Sequence, residues 1–266
     1  MNVEAKLLAG SVPVVQIVWA RTLVHTLFVV ALFGPRHGWW RLFVTRRPAT
    51  QLTRSLLLLV STSLFFTAIG KVPLADATAV SFTSPLLVAA LAGPMLGERV
   101  DLRHWLAIAA GFAGALIVIR PIGGATNPYL FLVLGNSACY AVYQILTRRV
   151  AAFDRPETSV TYSALIGTLV LSVVAPLSFK APAGPPEWAM LATLGLLGGL
   201  GHYYVARGFT LGPASILSPF HYVQLVGAAA MGFLVFGDVP SAWTWVGAAI
   251  IIASGLYIAW REAVRP

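Results

Sequence analysis

The sequence predicts an all-α membrane protein, a polytopic helix bundle of nine transmembrane helices arranged as two inverted repeats. Composition predicts the membrane class, because 58% of the 266 residues are hydrophobic and only 10% are charged, whereas a soluble domain carries about 25% charged residues. So little polar surface cannot cover a globule in water. The second observation is a loose internal repeat of long period, which is typical of duplicated membrane folds rather than of solenoids.

Nine apolar runs approach the ~20 residues that a helix needs to cross a bilayer. In chain order they are residues 14–33, 51–69, 74–96, 104–119, 128–146, 158–179, 188–209, 214–236 and 242–260. The fourth run is short, and we include it because the repeat gives it a full-length partner. The linkers between runs are brief, so we expect no inserted soluble domain.

The repeat is carried by matching landmarks in residues 74–121 and 211–262. Each segment has small residues at its start, a long apolar run, an acidic break, a tryptophan and a second apolar run that ends in arginine. The breaks and tryptophans are Glu98 and Trp105 in the first segment, and Asp238 and Trp245 in the second. Corresponding landmarks are offset by roughly 140 residues, so the chain contains two related halves.

These halves define the predicted domain organisation. Residues 1–121 form a first repeat of four helices, residues 128–266 form a second repeat of five, and both belong to one transmembrane domain. The run 128–146 has no counterpart in the first half. The symmetry therefore predicts that the first helix of a ten-helix arrangement is missing at the N-terminus.

Basic side chains sort onto alternate sides of the predicted helices. Thirteen of the 18 fall on one side, namely Arg36, Arg41, Arg46, Arg47, Arg54, Arg99, Arg103, Arg148, Arg149, Arg155, Arg207, Arg261 and Arg265. Four fall on the other side, namely Lys6, Lys71, Arg120 and Lys180, and the remaining one, Arg21, lies inside an apolar run. Short cytoplasmic loops are rich in Lys and Arg, so we expect the richer side and the C-terminus to be cytoplasmic. The runs 74–96 and 214–236 then cross in opposite directions, which makes the repeats inverted.

Several other classes of protein are disfavoured. The net charge of +9 is spread between apolar runs and forms no basic domain that docks a nucleic acid. Cys139 is the only cysteine, so it forms no intramolecular disulfide and has no partner for a metal site. The sequence contains no metal-ligand spacing, catalytic triad or Walker motif. We therefore expect no metal, no cofactor and no enzymatic activity.

Three segments resemble the EamA-type members of the drug/metabolite transporter superfamily. They are residues 5–21 (AKLLAGSVPVVQIVWAR), residues 75–85 together with the later Leu-Gly-Glu-Arg at 96–99, and residues 247–255. The resemblance covers nearly the whole chain as two EamA-like units. It implies ten helices, as five plus five, with both termini in the cytoplasm. This chain departs by lacking the first helix, and residues 1–10 resemble the tail of that helix, so we expect the chain to start late relative to its relatives.

Arg21 and His25 are the first candidate substrate-binding residues. Arg21 lies seven residues into its apolar run, about 10 Å deep at 1.5 Å per residue, and His25 lies one turn further on the same face. Ionisable residues at this depth usually face a cavity or another helix. They would offer positive charge and donors to a carboxylate or phosphate group. The alternative is a structural arginine that snorkels outward or bonds to helix-end carbonyls.

A second candidate face lies in the run 128–146. Asn136, Tyr140 and Gln144 are spaced four residues apart, so they lie on one side of a helix. This side is expected to face the bundle interior, because polar groups are unfavourable against lipid. It serves either to contact substrate or to form hydrogen bonds between helices.

The remaining candidates lie in the second repeat and at two prolines. His221 and Gln224 lie near the middle of the run 214–236, and Tyr204 lies in the preceding run. Pro219 and Pro85 each remove a backbone hydrogen bond at matching places in the two repeats. Kinked helices at matching places are a pointer to a transport site, and bending for packing is the alternative.

The function that these features favour is secondary transport of a small organic metabolite or drug-like solute across the cytoplasmic membrane by alternating access. The expected partners are a small-molecule substrate and the lipid bilayer, with a homodimer left open and nucleic acid excluded. Two alternatives are a membrane-embedded enzyme that acts on lipid or isoprenoid substrates, and a truncated remnant that does not transport. The enzyme would need clustered acidic, basic or metal-ligating residues, whereas the acidic residues here are scattered.

Overall fold

The computed structural model describes residues 1–96, 101–120, 127–211 and 222–264. All regular secondary structure in these ranges is helical, so the all-α prediction is confirmed. The α-helices are α1 (Asn2–Leu8), α2 (Val14–His37), α3 (Pro48–Ile69), α4 (Leu74–Ser81), α5 (Thr83–Leu96), α6 (Leu102–Ile119), α7 (Tyr129–Val150), α8 (Pro156–Val174), α9 (Pro185–Leu211), α10 (Val223–Phe236) and α11 (Ala242–Val264). Short 3-10 turns follow α2 (Trp39–Phe43) and α8 (Ala175–Ser178).

Proline and glycine set several of the helix ends. Pro48 and Pro156 occupy the first positions of α3 and α8, where the missing N–H has no intrahelical partner to lose. Gly38 follows α2 with φ of 83°, and Gly237 follows α10 with φ of 68°. These left-handed conformations suit glycine because it has no Cβ, so both helices stop there.

Seven helical segments are long and apolar enough to cross a membrane within the ranges that the structure describes. They are Val14–His37, Pro48–Ile69, Leu74–Leu91, Leu102–Ile119, Tyr129–Val150, Pro156–Ser178 and Ala242–Arg261. Val223–Phe236 is a shorter apolar helix of 14 residues. The structure therefore supports a multi-pass membrane protein, whereas the sequence-based count of nine transmembrane helices stays a prediction.

The chain divides into two compact units, and each takes helices from both predicted repeats. Unit 1 contains the described parts of Met1–Gly70 and Leu146–Leu211, and unit 2 those of Lys71–Ile145 and Gly212–Pro266. In unit 1, α2 packs against both α8 and α9, and α3 packs against α8. In unit 2, α6 and α11 form the most extensive helix pair.

Glycines bring the two helices of that pair close together. A Cβ added at Gly247 on α11 would lie 2.4 Å from the carbonyl oxygen of Gly114 on α6, and one added at Gly114 would lie 2.8 Å from the carbonyl oxygen of Gly247. Such close approach of backbones is how helices gain packing contacts within a membrane, where lipid tails are as apolar as the side chains.

The long apolar run 74–96 is divided in the structure. α4 ends at Ser81, Phe82 follows with ψ of 0°, and α5 begins at Thr83. Pro85 provides a physical reason, because a proline removes the hydrogen bond to the residue four places earlier and its ring clashes with that carbonyl. That residue is Ser81. The Ser137 hydroxyl of α7 lies 3.3 Å from its carbonyl oxygen and 3.0 Å from that of Val133, so the single hydroxyl proton is shared between two carbonyls.

Candidate functional site

Arg21 and His25 are enclosed within unit 1. They lie one turn apart on the face of α2 that also buries Ile17 and Val18. Only 3% of Arg21 and 2% of His25 is exposed. Because α2 contacts α8 and α9 on this side, the structure places both side chains between helices rather than against lipid.

Glycines of α9 make room for these side chains. A Cβ at Gly198 would lie 3.1 Å from Nε of Arg21, and one at Gly199 would lie 2.9 Å from Cδ2 of His25. One turn earlier, a Cβ at Gly195 would lie 2.4 Å from Cβ of Val24. The glycine-rich stretch of α9 is thus a close-packing surface for α2, and larger residues at these positions would displace the guanidinium and the imidazole.

His202 of α9 completes what we call the Arg21 cluster, which consists of Arg21, His25 and His202. Its Nε2 lies 3.1 Å from an Arg21 terminal nitrogen, and its ring stacks on that of His25 with centroids 6.1 Å apart and an angle of 5°. Since a guanidinium only donates, the His202 Nε2 accepts, which makes this imidazole neutral with its proton on Nδ1. Nε2 of His25 has no hydrogen-bond partner among the residues that the structure describes.

The chemistry of the Arg21 cluster favours binding of a molecule that carries an anionic hydrogen-bond acceptor. It combines a permanent positive charge with an imidazole edge that the described protein groups leave unsatisfied. Buried polar groups are normally hydrogen-bonded. A carboxylate or phosphate oxygen would accept from the buried guanidinium and, when the His25 proton is on Nε2, from the imidazole as well.

A separate polar network surrounds Arg54 at the start of α3, where only 1% of the residue is exposed. Its guanidinium donates to the Ser159 carbonyl and the Gln51 Oε1, both at 2.8 Å, and to the Thr147 hydroxyl at 3.0 Å. Gln51 in turn donates to Asp154 at 2.8 Å. This network joins the starts of α3 and α8 to the end of α7, all within unit 1.

Asp154 extends the network into the loop before α8. It accepts from the Thr45 hydroxyl, from the Arg46 backbone N–H at 3.0 Å and from Gln51. Burial by itself raises the pKa of this carboxyl, but the three hydrogen bonds outweigh it and hold the pKa below its ordinary value. The ionised form is therefore part of the folded structure.

The polar face of α7 lies in unit 2. Asn136 is buried, Tyr140 is half-buried with its ring stacked 5.4 Å from that of Tyr143, and Gln144 donates to the Ser84 hydroxyl at 3.4 Å. The face is thus directed toward α5 at the Gln144 end. Its amide and phenol groups offer neutral hydrogen bonding, in contrast to the cationic cluster of unit 1.

Tyr222 supplies a further aromatic group in unit 2. Its ring meets that of Phe82 edge-on, with centroids 5.2 Å apart at 85°. A Cβ added at Gly255 would lie 1.8 Å from the Tyr222 hydroxyl. The hydroxyl therefore lies against the backbone of α11 at a position that only glycine permits.

The remaining predicted site residues are placed differently. Tyr204 is 66% exposed, and its ring contacts that of Tyr203 rather than the Arg21 cluster. Gln224 is also exposed. His221 and Pro219 lie outside the described residues, and Pro85 follows the break between α4 and α5.

The comparison with known families decides what kind of protein carries these sites. The profile of the EamA-like transporter family matches residues 1–120 and 127–260. The chain belongs to this family. The two matched segments confirm that it is built from two EamA-like repeats, and the family is one of transporters rather than of enzymes.

Relatives of this EamA-like transporter carry transporter names. A riboflavin transporter of Vibrio cholerae is 30% identical over 83% of this chain and 74% of its own length. An S-adenosylmethionine uptake transporter of Rickettsia felis is 28% identical over 82% of this chain and 74% of its own length. The pseudopaline exporter CntI of Pseudomonas aeruginosa is 28% identical over 96% of this chain and 89% of its own. The chain is a membrane transporter of small metabolites.

A solved crystal structure supports the fold. It matches 98% of this chain and 96% of its own length with a TM-score of 0.68, at 20% sequence identity. At this identity the likeness is evidence for the helical architecture alone.

Proposed function

We propose that this EamA-like protein is a secondary transporter that moves a small organic solute across the cytoplasmic membrane by alternating access. The observation that carries the proposal is the Arg21 cluster, a buried guanidinium and two imidazoles on helices of a membrane protein. Placing a charged residue at membrane depth is unfavourable by about 2.5–3.5 kcal/mol on insertion scales. Such residues are kept where they contact substrate or ions, and this favours a solute-binding role.

We further propose that Arg21 and His25 of unit 1 contact an acidic group of the solute. The cluster offers a permanent positive charge and hydrogen-bonding groups, which suit a carboxylate or phosphate. Asn136, Tyr140 and Gln144 of unit 2 remain predicted substrate contacts from the sequence, as do His221, Tyr204 and Gln224.

Solute movement tests the proposal directly. Riboflavin and S-adenosylmethionine, the solutes for which relatives are named, are the first probes. Cells that produce the protein should take up or export one member of a panel of labelled metabolites faster than cells that carry the empty vector. If the protein is verified in the membrane but producing cells and empty-vector cells show the same uptake and the same export of every panel member, transport is contradicted.

The charge distribution gives a prediction for topology. Reporter fusions after Gly38 and after Arg265 are both expected to report the cytoplasm, because the nine predicted helices put thirteen of the basic residues on that side and short cytoplasmic loops are rich in Lys and Arg. A fusion after Lys180 should report the opposite side. Periplasmic phosphatase activity from either of the first two fusions would overturn the orientation.

A further inference from the structure

Unit 2 encloses a carboxylate. Asp76 is the third residue of α4, only 7% of it is exposed, and the neighbouring residues Ala75 and Ala77 are buried as well. α4 begins a segment, Leu74–Leu91, that is apolar enough to cross a membrane. Ionisable side chains inside such segments frequently serve as ion or proton sites.

Two hydroxyl groups connect Asp76 to the start of α11. The Thr244 hydroxyl donates to Oδ1 of Asp76 at 2.7 Å, and the Ser241 hydroxyl lies 2.9 Å from Oγ1 of Thr244. Because the single hydroxyl proton of Thr244 is directed at Asp76, Ser241 donates to Thr244. Thr244 is buried and Ser241 is half-buried, so a directed chain of hydroxyls runs from a partly accessible helix end to the buried carboxylate.

The hydroxyl of Thr244 is not required for capping α11. Ser241 performs that role by accepting from the Thr244 backbone N–H at 3.2 Å. The equivalent positions of the first repeat are Asp101 and His104, where Asp101 accepts from the His104 backbone N–H at 2.9 Å and from its ring. In the first repeat the His104 side chain thus bonds to Asp101, the N-cap residue of its own helix. In the second repeat the Thr244 side chain bonds to Asp76 of another helix.

The elements that pack against α4 are α5, α6, α10 and α11, and α7 contacts its last residue, Ser81. Their charged residues lie at the helix ends. Lys71 precedes α4, Arg120 follows the end of α6, and Asp238 follows α10. Asp238 lies near the start of α4, because a Cβ at Gly232 would lie 3.9 Å from the Cβ atoms of both Asp238 and Leu74. Arg103, His104 and Arg261 lie at the opposite ends of α6 and α11.

We propose that Asp76 is a proton-binding site and that it couples solute movement to a proton. The carboxylate takes up one proton from water and becomes a neutral carboxylic acid, of which one oxygen still accepts from Thr244. The neutral form is less unfavourable in an apolar environment than the ionised form, so proton binding changes which arrangement of unit 2 is favoured. The proton returns to water when the carboxyl ionises again. Coupling rests on the proposed transport function, whereas proton binding does not.

Infrared difference spectroscopy in lipid nanodiscs tests proton binding without any solute. A spectrum recorded across about pH 5 to about pH 8 should contain the carbonyl band of a protonated carboxyl group. Asp76→Asn should lose this band, and Asp238→Asn, the matched control in the same unit, should keep it. Asp76→Glu should restore a carboxyl band, and Thr244→Val should move the wild-type band because it removes the hydrogen bond to the carbonyl. A spectrum that Asp76→Asn leaves unchanged would overturn the proton site.

Transport then tests coupling in proteoliposomes, with S-adenosylmethionine as the probe because it carries a carboxylate. Asp76→Asn should lose accumulation driven by a pH gradient but retain solute exchange in the absence of a gradient. Accumulation by Asp76→Asn at the wild-type level would refute coupling. If the wild type moves neither this probe nor any other member of the metabolite panel but its infrared band depends on Asp76, the transport proposal fails and the proton site stands.

Discussion

Replacing Arg21 with leucine is expected to abolish transport while the protein still inserts and folds. The guanidinium provides the permanent charge of the Arg21 cluster, and removing it deletes both the attraction and the donors for an acidic solute. Insertion should not suffer, because burial of an arginine is unfavourable by about 2.5–3.5 kcal/mol. Arg21→Lys keeps the charge but loses the planar fork of donors, so transport should fall only partly. For both variants, transport is measured in cells and divided by the amount of folded protein, which is determined after extraction into detergent.

The control for this experiment is Arg207→Leu. Arg207 is an exposed arginine on α9 that donates to the Tyr203 hydroxyl at 3.0 Å, so it tests the loss of an arginine outside the cluster. It should leave normalised transport unchanged. A structural role for Arg21 predicts the reverse pattern, in which Arg21→Leu lowers abundance and thermal stability but each folded molecule transports normally. Normal normalised activity in Arg21→Leu would therefore exclude Arg21 as a substrate anchor.

The helical fold is predictable from the sequence because its main determinant is composition. Apolar runs of membrane length must form helices, since backbone groups find no other partners in lipid. The break between α4 and α5 is less predictable. Pro85 marks the region, but the break occurs at Phe82, because the proline removes the hydrogen bond to Ser81, four places earlier. The released Ser81 carbonyl lies 3.3 Å from the Ser137 hydroxyl of α7, a contact between helices that the sequence does not specify.

The candidate site was predictable only in part, because helix faces meet in ways that one sequence does not specify. Arg21 and His25 are conspicuous as ionisable residues in an apolar run. In the structure they contact His202, which was not among the predicted site residues, whereas the predicted Tyr204 contacts Tyr203. A usable signal existed, because His202 continues the stripe of Gly195, Gly198 and Gly199 on one face of α9, and a polar residue on a close-packing face must meet a polar partner.

The structural role of Arg54 is not apparent from the distribution of basic residues in the sequence. The sequence assigns it to the basic cytoplasmic side, yet the structure buries it in a network that joins α3, α7 and α8. A buried arginine whose guanidinium donates to groups on three helices holds the helix ends together, because its removal deletes all of these hydrogen bonds at once. The network thus has a structural role in unit 1, separate from the solute-binding role proposed for Arg21.

Arg54→Met is accordingly expected to destabilise unit 1 strongly. Gln51 Oε1 loses its buried donor, at about 1–3 kcal/mol for an unsatisfied group. The Ser159 carbonyl loses the Arg54 hydrogen bond but still accepts from the Ser163 hydroxyl at 3.0 Å. Thermal unfolding in detergent should show a large loss, and Arg103→Met, which removes an exposed arginine of unit 2, should show almost none. Equal stability of Arg54→Met and Arg103→Met would show that the network contributes nothing to the fold.

Asp154 should make the stability of unit 1 depend on pH. Because hydrogen bonds hold the pKa of Asp154 below its ordinary value, its contribution to the free energy of unfolding is present at neutral pH and disappears as the pH falls through that lowered pKa. In thermal unfolding, Asp154→Asn should therefore lower stability at neutral pH and reduce the loss on acidification.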